Sequence, residues 1–186
     1  MRKVNAVISL LLILLFLIHV IAGGFQLFAV IPGGNQNLKI LSRIMLALLF
    51  IHVIIGIKLT IDTLKVSGRT KIVYLKENLI FMLRRISGLM LIVLAGIHVA
   101  IFFSEGKITR LTPFTGMPLA ASVLLAVVLL VHILSNIKPL LIALGISNFR
   151  NCIKDVFIIF SVILLLAVLA FIFYYFRWNI FWRYGK

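Results

Sequence analysis

The chain has 186 residues, of which 63% are hydrophobic and only 12% are charged. Its mean hydropathy of +1.25 excludes an ordinary soluble domain and is typical of a protein built from membrane-spanning helices. The formal net charge of +15 would favour nucleic acid as a partner of a soluble protein, but here the basic residues flank apolar runs. We therefore expect contact with membrane lipid and no nucleic-acid binding.

Five apolar runs follow one another along the chain. Because about 20 helical residues cross the hydrocarbon core of a bilayer, they predict transmembrane helices over residues 4–28, 40–64, 79–103, 118–144 and 153–176. The connections are too short for a second domain, so residues 1–186 are expected to form one all-α transmembrane domain. The basic start, Met1-Arg2-Lys3, is also compatible with a signal peptide that includes the first run.

Basic residues are distributed unequally between the two sides of the predicted bundle. If the N-terminus is inside, the inner segments hold most of the 19 lysines and arginines. The positive-inside rule then predicts a cytoplasmic N-terminus and a C-terminus outside. Aromatic residues near the C-terminus predict an interfacial belt at the outer end of the fifth helix. They are Tyr174, Tyr175, Trp178, Trp182 and Tyr184.

Histidine is placed with unusual regularity. The chain has four histidines, one in each of the first four predicted helices: His19, His52, His98 and His132. Ionisable residues within a membrane are costly and usually mark a functional site in the bundle interior. Structural packing by hydrogen bonds to neighbouring helices is the alternative.

Two of these histidines lie at the same depth in helices that return toward the inside. His52 precedes Lys58 by six residues, and His132 precedes Lys138 by six residues. At about 1.5 Å of rise per residue, both lie roughly 9 Å above their lysine. We therefore expect these two histidines to face each other near the inner side.

The other two histidines match each other at a second depth. His98 follows Arg85 by 13 residues, and His19 follows Lys3 by 16 residues, which corresponds to roughly 20 to 24 Å from the inner charges. Two facing imidazoles at each of two depths suit two stacked b haems, each with two axial histidine ligands. Attachment of c-type haem, a CxxC site and an intrachain disulfide are excluded because Cys152 is the only cysteine.

Glycines accompany two of the histidines. Gly23 follows His19, and Gly56 follows His52, by four residues, so each pair shares one helix face. A missing side chain there would leave space for a flat macrocycle, although close helix packing would use the same glycines. Zinc or copper ligation and a proton relay are less favoured, because the four acidic residues all fall near helix ends.

Three segments resemble a known cytochrome family. The run Lys76–Gly88, followed ten residues later by His98, is similar to the third helix of the dihaem cytochrome b subunits of succinate:menaquinone oxidoreductases and quinol:fumarate reductases. The segments His52–Asn78 and His132–Asn136, the latter with a turn near Gly145, are similar too. The resemblance covers about four of the five helices, and it implies that the first four form a haem-binding bundle.

The resemblance implies roles for the four histidines. His52 and His132 would bind the proximal haem, and His19 and His98 the distal haem. Members of this family anchor a flavoprotein and an iron–sulfur protein on the cytoplasmic side of the bacterial inner membrane. They pass electrons to or from menaquinone as one subunit of a complex, so the chain is not expected to be an enzyme on its own.

Haem propionates need cations or hydrogen-bond donors as partners. On the inner side the candidates are Lys58, Lys138, Arg84, Arg85 and Ser87, and on the outer side Ser42 and Arg43. Each cation could instead mark the membrane boundary. The basic segment 64–79 is a candidate docking surface for a peripheral subunit. Glu105, Lys107 and Arg110 could exchange protons at a quinone site, or could be solvated loop charges.

Two other functions fit the same sequence. One is a dihaem cytochrome b that anchors a different quinone-linked enzyme, of the hydrogenase or formate dehydrogenase type. The other is a helical transporter or scaffold without a haem.

Overall fold

The computed structural model describes residues 1–70, 75–102, 114–146 and 150–184, apart from the side chains at 67–70, 75–78, 150–152 and 181–184. Within these ranges the chain is helical, with no strand. The helices are α1 (Arg2–Leu27), α2 (Gln36–Thr70), α3 (Leu75–Phe102), α4 (Gly116–Ala143) and α5 (Arg150–Tyr184).

Every helix contains a segment long and apolar enough to cross a membrane. These segments are Arg2–Leu27, Gln36–Val66, Leu79–Phe102, Gly116–Ala143 and Ile153–Ile180. The expectation of five such helices is thereby confirmed. Helix α2 begins before the predicted run 40–64, and α5 ends after the predicted run 153–176. Hydropathy marks the membrane segment, whereas a helix continues until a cap or a breaking residue ends it.

Local chemistry explains where helix α2 begins. The side-chain Oδ1 of Asn35 accepts hydrogen bonds from the backbone N–H groups of Asn37, at 2.9 Å, and Leu38, at 3.4 Å. These groups have no partner within the helix, so an asparagine at this position caps it.

Helices α1 and α4 end in the same type of turn. In α4 the backbone N–H of Gly145 donates to Ile142, and that of Ile146 to Leu141, both at 3.0 Å. This pattern requires a left-handed residue after the helix, and Gly145 has φ +84°. The corresponding residue after α1 is Ala29, with φ 59°, which is an uncommon conformation for a residue with a Cβ.

The five helices form two hairpins and a bracing helix. Helix α1 packs against α2, and α3 packs against α4. Helix α5 packs on both α1 and α4, which also touch each other. In the described part of the chain, α2 and α3 have no comparable contact. The hairpins are therefore joined through α1, α4 and α5.

The protein core is small and centred on α4. The buried residues of α4 are Ser122, Ala126, Val128, Ile133, Ile137 and Leu141. Large aliphatic and aromatic side chains are widely exposed on the bundle surface, for example Phe50 and Leu89. Such a surface is expected of helices that face lipid, because lipid tails are as apolar as these side chains.

Candidate functional site

Two of the four histidines lie ring to ring between the hairpins. The imidazole centroids of His19 in α1 and His98 in α3 are 6.2 Å apart, and their planes cross at 73°. His98 also contacts Phe102, at 4.7 Å between centroids, and Phe171 of α5, at 6.4 Å. We call this the far level, because it is the more distant from the end of the bundle at which α1 begins.

The other two histidines form a near level. His132 in α4 lies close enough to His52 in α2 and to Arg85 in α3 to be within range of their charges. The four histidines thus come together as His19 with His98 and as His52 with His132. These are the pairs that the depth counts predict; their role as haem ligands stays a prediction.

Serine hydroxyls tie α1 and α2 to each other's histidines. The Oγ of Ser9 in α1 lies 3.3 Å from Nδ1 of His52 in α2. In the opposite direction, Oγ of Ser42 in α2 lies 3.2 Å from Nδ1 of His19 in α1. The two helices therefore run antiparallel in a register that makes both contacts at once.

The second hairpin repeats the contact at the near level. The Oγ of Ser87 in α3, a residue only 3% exposed, lies 3.1 Å from Nδ1 of His132 in α4. The next residue, Gly88, faces the same ring, because a Cβ built there would lie 3.2 Å from Cε1 of His132. Ser42 and Ser87, which are candidate partners of propionates, lie beside imidazoles in the structure, and their role toward propionates stays a prediction.

A regular spacing in the sequence could have identified these serines in advance. A serine lies ten residues before His19, His52 and His132, and eleven residues before His98. In the same order, these serines are Ser9, Ser42, Ser122 and Ser87. In an antiparallel pair of helices with equal serine–histidine spacing, a register that places one serine beside the neighbouring helix's histidine also brings the other serine to the level of the other histidine.

Arg84 joins the two helices of the second hairpin. Its Nε donates to the backbone carbonyl of Ser135 at 2.7 Å. Pro139 lies inside α4, four residues after Ser135, and a proline has no N–H for the carbonyl at that position. The guanidinium of Arg84 therefore supplies the hydrogen bond that the proline cannot.

Arg85 is placed differently from its neighbour. Its guanidinium carbon lies 5.0 Å from the ring centroid of Phe81. Its Nε is buried and has no hydrogen-bond partner within the described residues. A buried cationic donor without a partner is unusual, and this one lies near His132, so it could receive an anionic group at the near level.

The glycines beside the histidines do not serve helix packing within the described part of the chain. A Cβ built at Gly23 or at Gly56 would meet nothing within 4 Å. A close contact between helices would have placed a neighbouring atom there. Space for a macrocycle at these positions remains a prediction.

The other predicted partners of propionates lie at the bundle surface. Arg43, Lys58 and Lys138 are exposed, so they are placed as boundary charges would be. Glu105, Lys107 and Arg110 lie outside the described residues, as do the side chains of Trp182 and Tyr184 and the middle of segment 64–79.

The donor atoms at the two levels are imidazoles in pairs. Within the ranges that the structure describes, no group of three or more histidine, cysteine or acidic side chains gathers in one place. Such pairs suit an ion whose remaining ligands come from a planar cofactor. Comparisons of the chain with protein-family models, with curated proteins and with solved structures find no match.

Proposed function

We propose that this chain is a dihaem cytochrome b subunit of the bacterial inner membrane. It anchors a cytoplasmic flavoprotein and iron–sulfur enzyme, a succinate dehydrogenase or fumarate reductase, and carries electrons between that enzyme and menaquinone. The proposal rests on one observation above all: four half-buried histidines on four helices come together as two pairs at two levels.

The spacing within the far-level pair fits ligation from both sides of an ion. Metal–imidazole bonds of about 2.0 to 2.1 Å on opposite sides would put the ring centroids about 6 Å apart. The centroids of His19 and His98 are 6.2 Å apart. Direct packing of two aromatic rings gives a similar range, so the chemistry of the donor atoms has to distinguish ligation from packing.

The donor atoms favour ligation. In three of the four imidazoles, Nδ1 faces a serine hydroxyl, which leaves Nε2 as the available ligand atom. Histidines that bind metals characteristically engage their second ring nitrogen in this way. At the near level, the partnerless Nε of Arg85 is a suitable donor to a carboxylate.

The residues of the chain would hold the cofactors, orient them and keep water away. Haem supplies reversible one-electron oxidation and reduction when it is bound, and two imidazole ligands leave no open position for oxygen chemistry. The two levels are separated by ten helical residues, from Ser9 to His19 in α1, or about 15 Å along the helix. The four packed helices would therefore hold the two haems at fixed positions across the membrane.

The charge distribution supports an enzyme partner at the end where α1 begins. Exposed basic residues gather there from four helices: Arg2, Lys3, Lys58, Lys65, Lys138 and Lys154. A positive surface can steer and orient an acidic partner, and it is also what a cytoplasmic face requires. The identity of the partner as a flavoprotein with an iron–sulfur protein comes from the sequence resemblance.

Purification from cells that synthesise haem tests the cofactor. We expect two b haems per chain by pyridine haemochrome assay, with low-spin spectra and no binding of carbon monoxide by the reduced protein. The variant Ser161→Ala, in α5, keeps the histidine pairs and should therefore contain the same haems as the unaltered chain. A chain that folds and contains no haem would leave the alternative of a transporter or scaffold.

A second experiment tests the partner. The complex should be isolated from the native membrane, and its haem reduction should be followed after addition of succinate or of hydrogen. Reduction by succinate, together with copurified flavin and iron–sulfur protein, is the expected result. Reduction by hydrogen or formate alone would instead assign the chain to the other quinone-linked enzymes.

A further inference from the structure

We infer that three serines, Ser9, Ser42 and Ser87, are positioning residues that keep the imidazole proton on Nδ1 and so present Nε2 as the ligand atom. Each serine acts on the histidine of the neighbouring helix in its hairpin. The inference deepens the proposed function and rests on it for the identity of the ligated group. The hydrogen-bond geometry that carries it does not depend on that identity.

In the first hairpin, each serine oxygen lies closer to a backbone carbonyl than to the imidazole nitrogen. Ser9 donates to the backbone carbonyl of Asn5, and Ser42 donates to that of Leu38, both at 2.8 Å. A hydroxyl has one hydrogen and two acceptor lone pairs. With its one hydrogen on the closer acceptor, the carbonyl, each serine oxygen accepts from the imidazole. Nδ1 of His52 and Nδ1 of His19 therefore carry the proton.

A second contact gives the same result for His132. The Ser87 hydroxyl donates to the backbone carbonyl of Arg84 at 3.2 Å, so its oxygen accepts from the ring as the oxygens of Ser9 and Ser42 do. Nδ1 of His132, 3.1 Å from the oxygen of Ser87, thus fits the protonated form.

The register of the second hairpin places a fourth serine at the level of the fourth histidine. The contact of Ser87 with His132 fixes α3 against α4, and counting from it in opposite directions brings His98 to the level of Ser122. Ser122 is 2% exposed, and its hydroxyl donates to the carbonyl of Pro118 at 2.8 Å. Its oxygen is therefore in the same hydrogen-bond state as those of Ser9 and Ser42.

A purely structural role for the three serines does not account for this arrangement. Each hydroxyl is already satisfied by a carbonyl of its own helix, as is common for serine in apolar helices. A serine could make that bond in any rotation of its helix. A serine oxygen beside an imidazole nitrogen instead fixes the position of the imidazole proton. A neutral ring can exchange its proton between two nitrogens unless an acceptor holds it at one.

The test uses the full chain in lipid without haem, with ¹⁵N-labelled histidine, and reads the protonation of each ring nitrogen by solid-state NMR. We expect His19, His52 and His132 to carry the proton on Nδ1. Ser42→Ala should move His19 alone toward a mixture of both forms, whereas Ser42→Thr should keep it. Ser161→Ala is the matched control and should change none. Protonated Nε2 in these three histidines, or no change in any serine-to-alanine variant, would overturn the inference.

The haem-loaded protein gives an independent readout. An acceptor at Nδ1 makes the imidazole a stronger donor to the metal, so Ser42→Ala should raise the midpoint potential of the far-level haem and leave the near-level haem unchanged. Ser9→Ala should raise the midpoint potential of the near-level haem and leave the far-level haem unchanged. The corresponding threonine variants should restore both potentials. Equal potentials in all variants would contradict the inference. Absence of haem would overturn the proposed function, while the NMR result would still decide the proton positions.

Discussion

His19 and His98 belong to different hairpins, and their imidazole rings nevertheless lie 6.2 Å apart at one level. Helices α1 and α3 do not pack extensively on each other. The contact between the two rings therefore joins the hairpins directly. The near-level histidines, His52 in α2 and His132 in α4, likewise belong to different hairpins. Each candidate cofactor would thus be shared between hairpins.

Substitution of single histidines tests this sharing. We expect His19→Ala and His98→Ala to remove the same haem, because each takes one of its two ligands. His52→Ala and His132→Ala should remove the other. Redox titration of the purified variants, followed by optical spectra, would show which potential is lost. Loss of the same potential in His19→Ala and His52→Ala would contradict the pairing.

Gly88 offers a test of the space around one ring. Gly88→Ala would put a Cβ 3.2 Å from Cε1 of His132, so the ring must shift, and we expect the potential or occupancy of the near-level haem alone to change. Gly96→Ala in the same helix is the matched control, since nothing lies within 4 Å of its Cβ. Both variants raise helix propensity by about 1 kcal/mol. Equal haem spectra in the two would contradict the prediction.

The bond from Arg84 to Ser135 predicts a coupling with Pro139. Arg84→Met should lower the free energy of unfolding by about 1 to 3 kcal/mol, because it leaves the carbonyl of Ser135 without a donor. Pro139→Ala supplies an N–H to that carbonyl, so Arg84→Met should cost less in the Pro139→Ala background. A double-mutant cycle measured by unfolding in detergent checks this. Additive effects would show that the two residues do not share the carbonyl.

The two left-handed helix ends predict substitutions of opposite sign. Ala29→Gly should raise the free energy of unfolding by up to about 1 kcal/mol, because it relieves the steric cost of a Cβ at positive φ. Gly145→Ala should lower it by about 1 to 2 kcal/mol for the same reason, since nothing else lies within 4 Å of that Cβ. Thermal unfolding of both variants gives the comparison. Destabilisation by both would exclude backbone conformation as the main cause.

Much of the fold can be predicted from hydropathy, because five long apolar runs have few alternatives to five membrane-crossing helices. The grouping of His19 with His98 also follows from counting residues, since the rise of a helix is nearly constant. The contacts of Arg84 and Gly88 could not be predicted in this way. They depend on the rotation of each helix about its axis, and an apolar sequence with no polar face hardly specifies that rotation.

The equal distances between serine and histidine in α1 and α2 have a further consequence. In each helix the two levels are separated by ten residues, from Ser9 to His19 in α1 and from Ser42 to His52 in α2. This length is set by covalent bonds and backbone hydrogen bonds and not by side-chain packing. A thinner bilayer or a warmer membrane can tilt the hairpin, but it leaves the interval between the two levels unchanged.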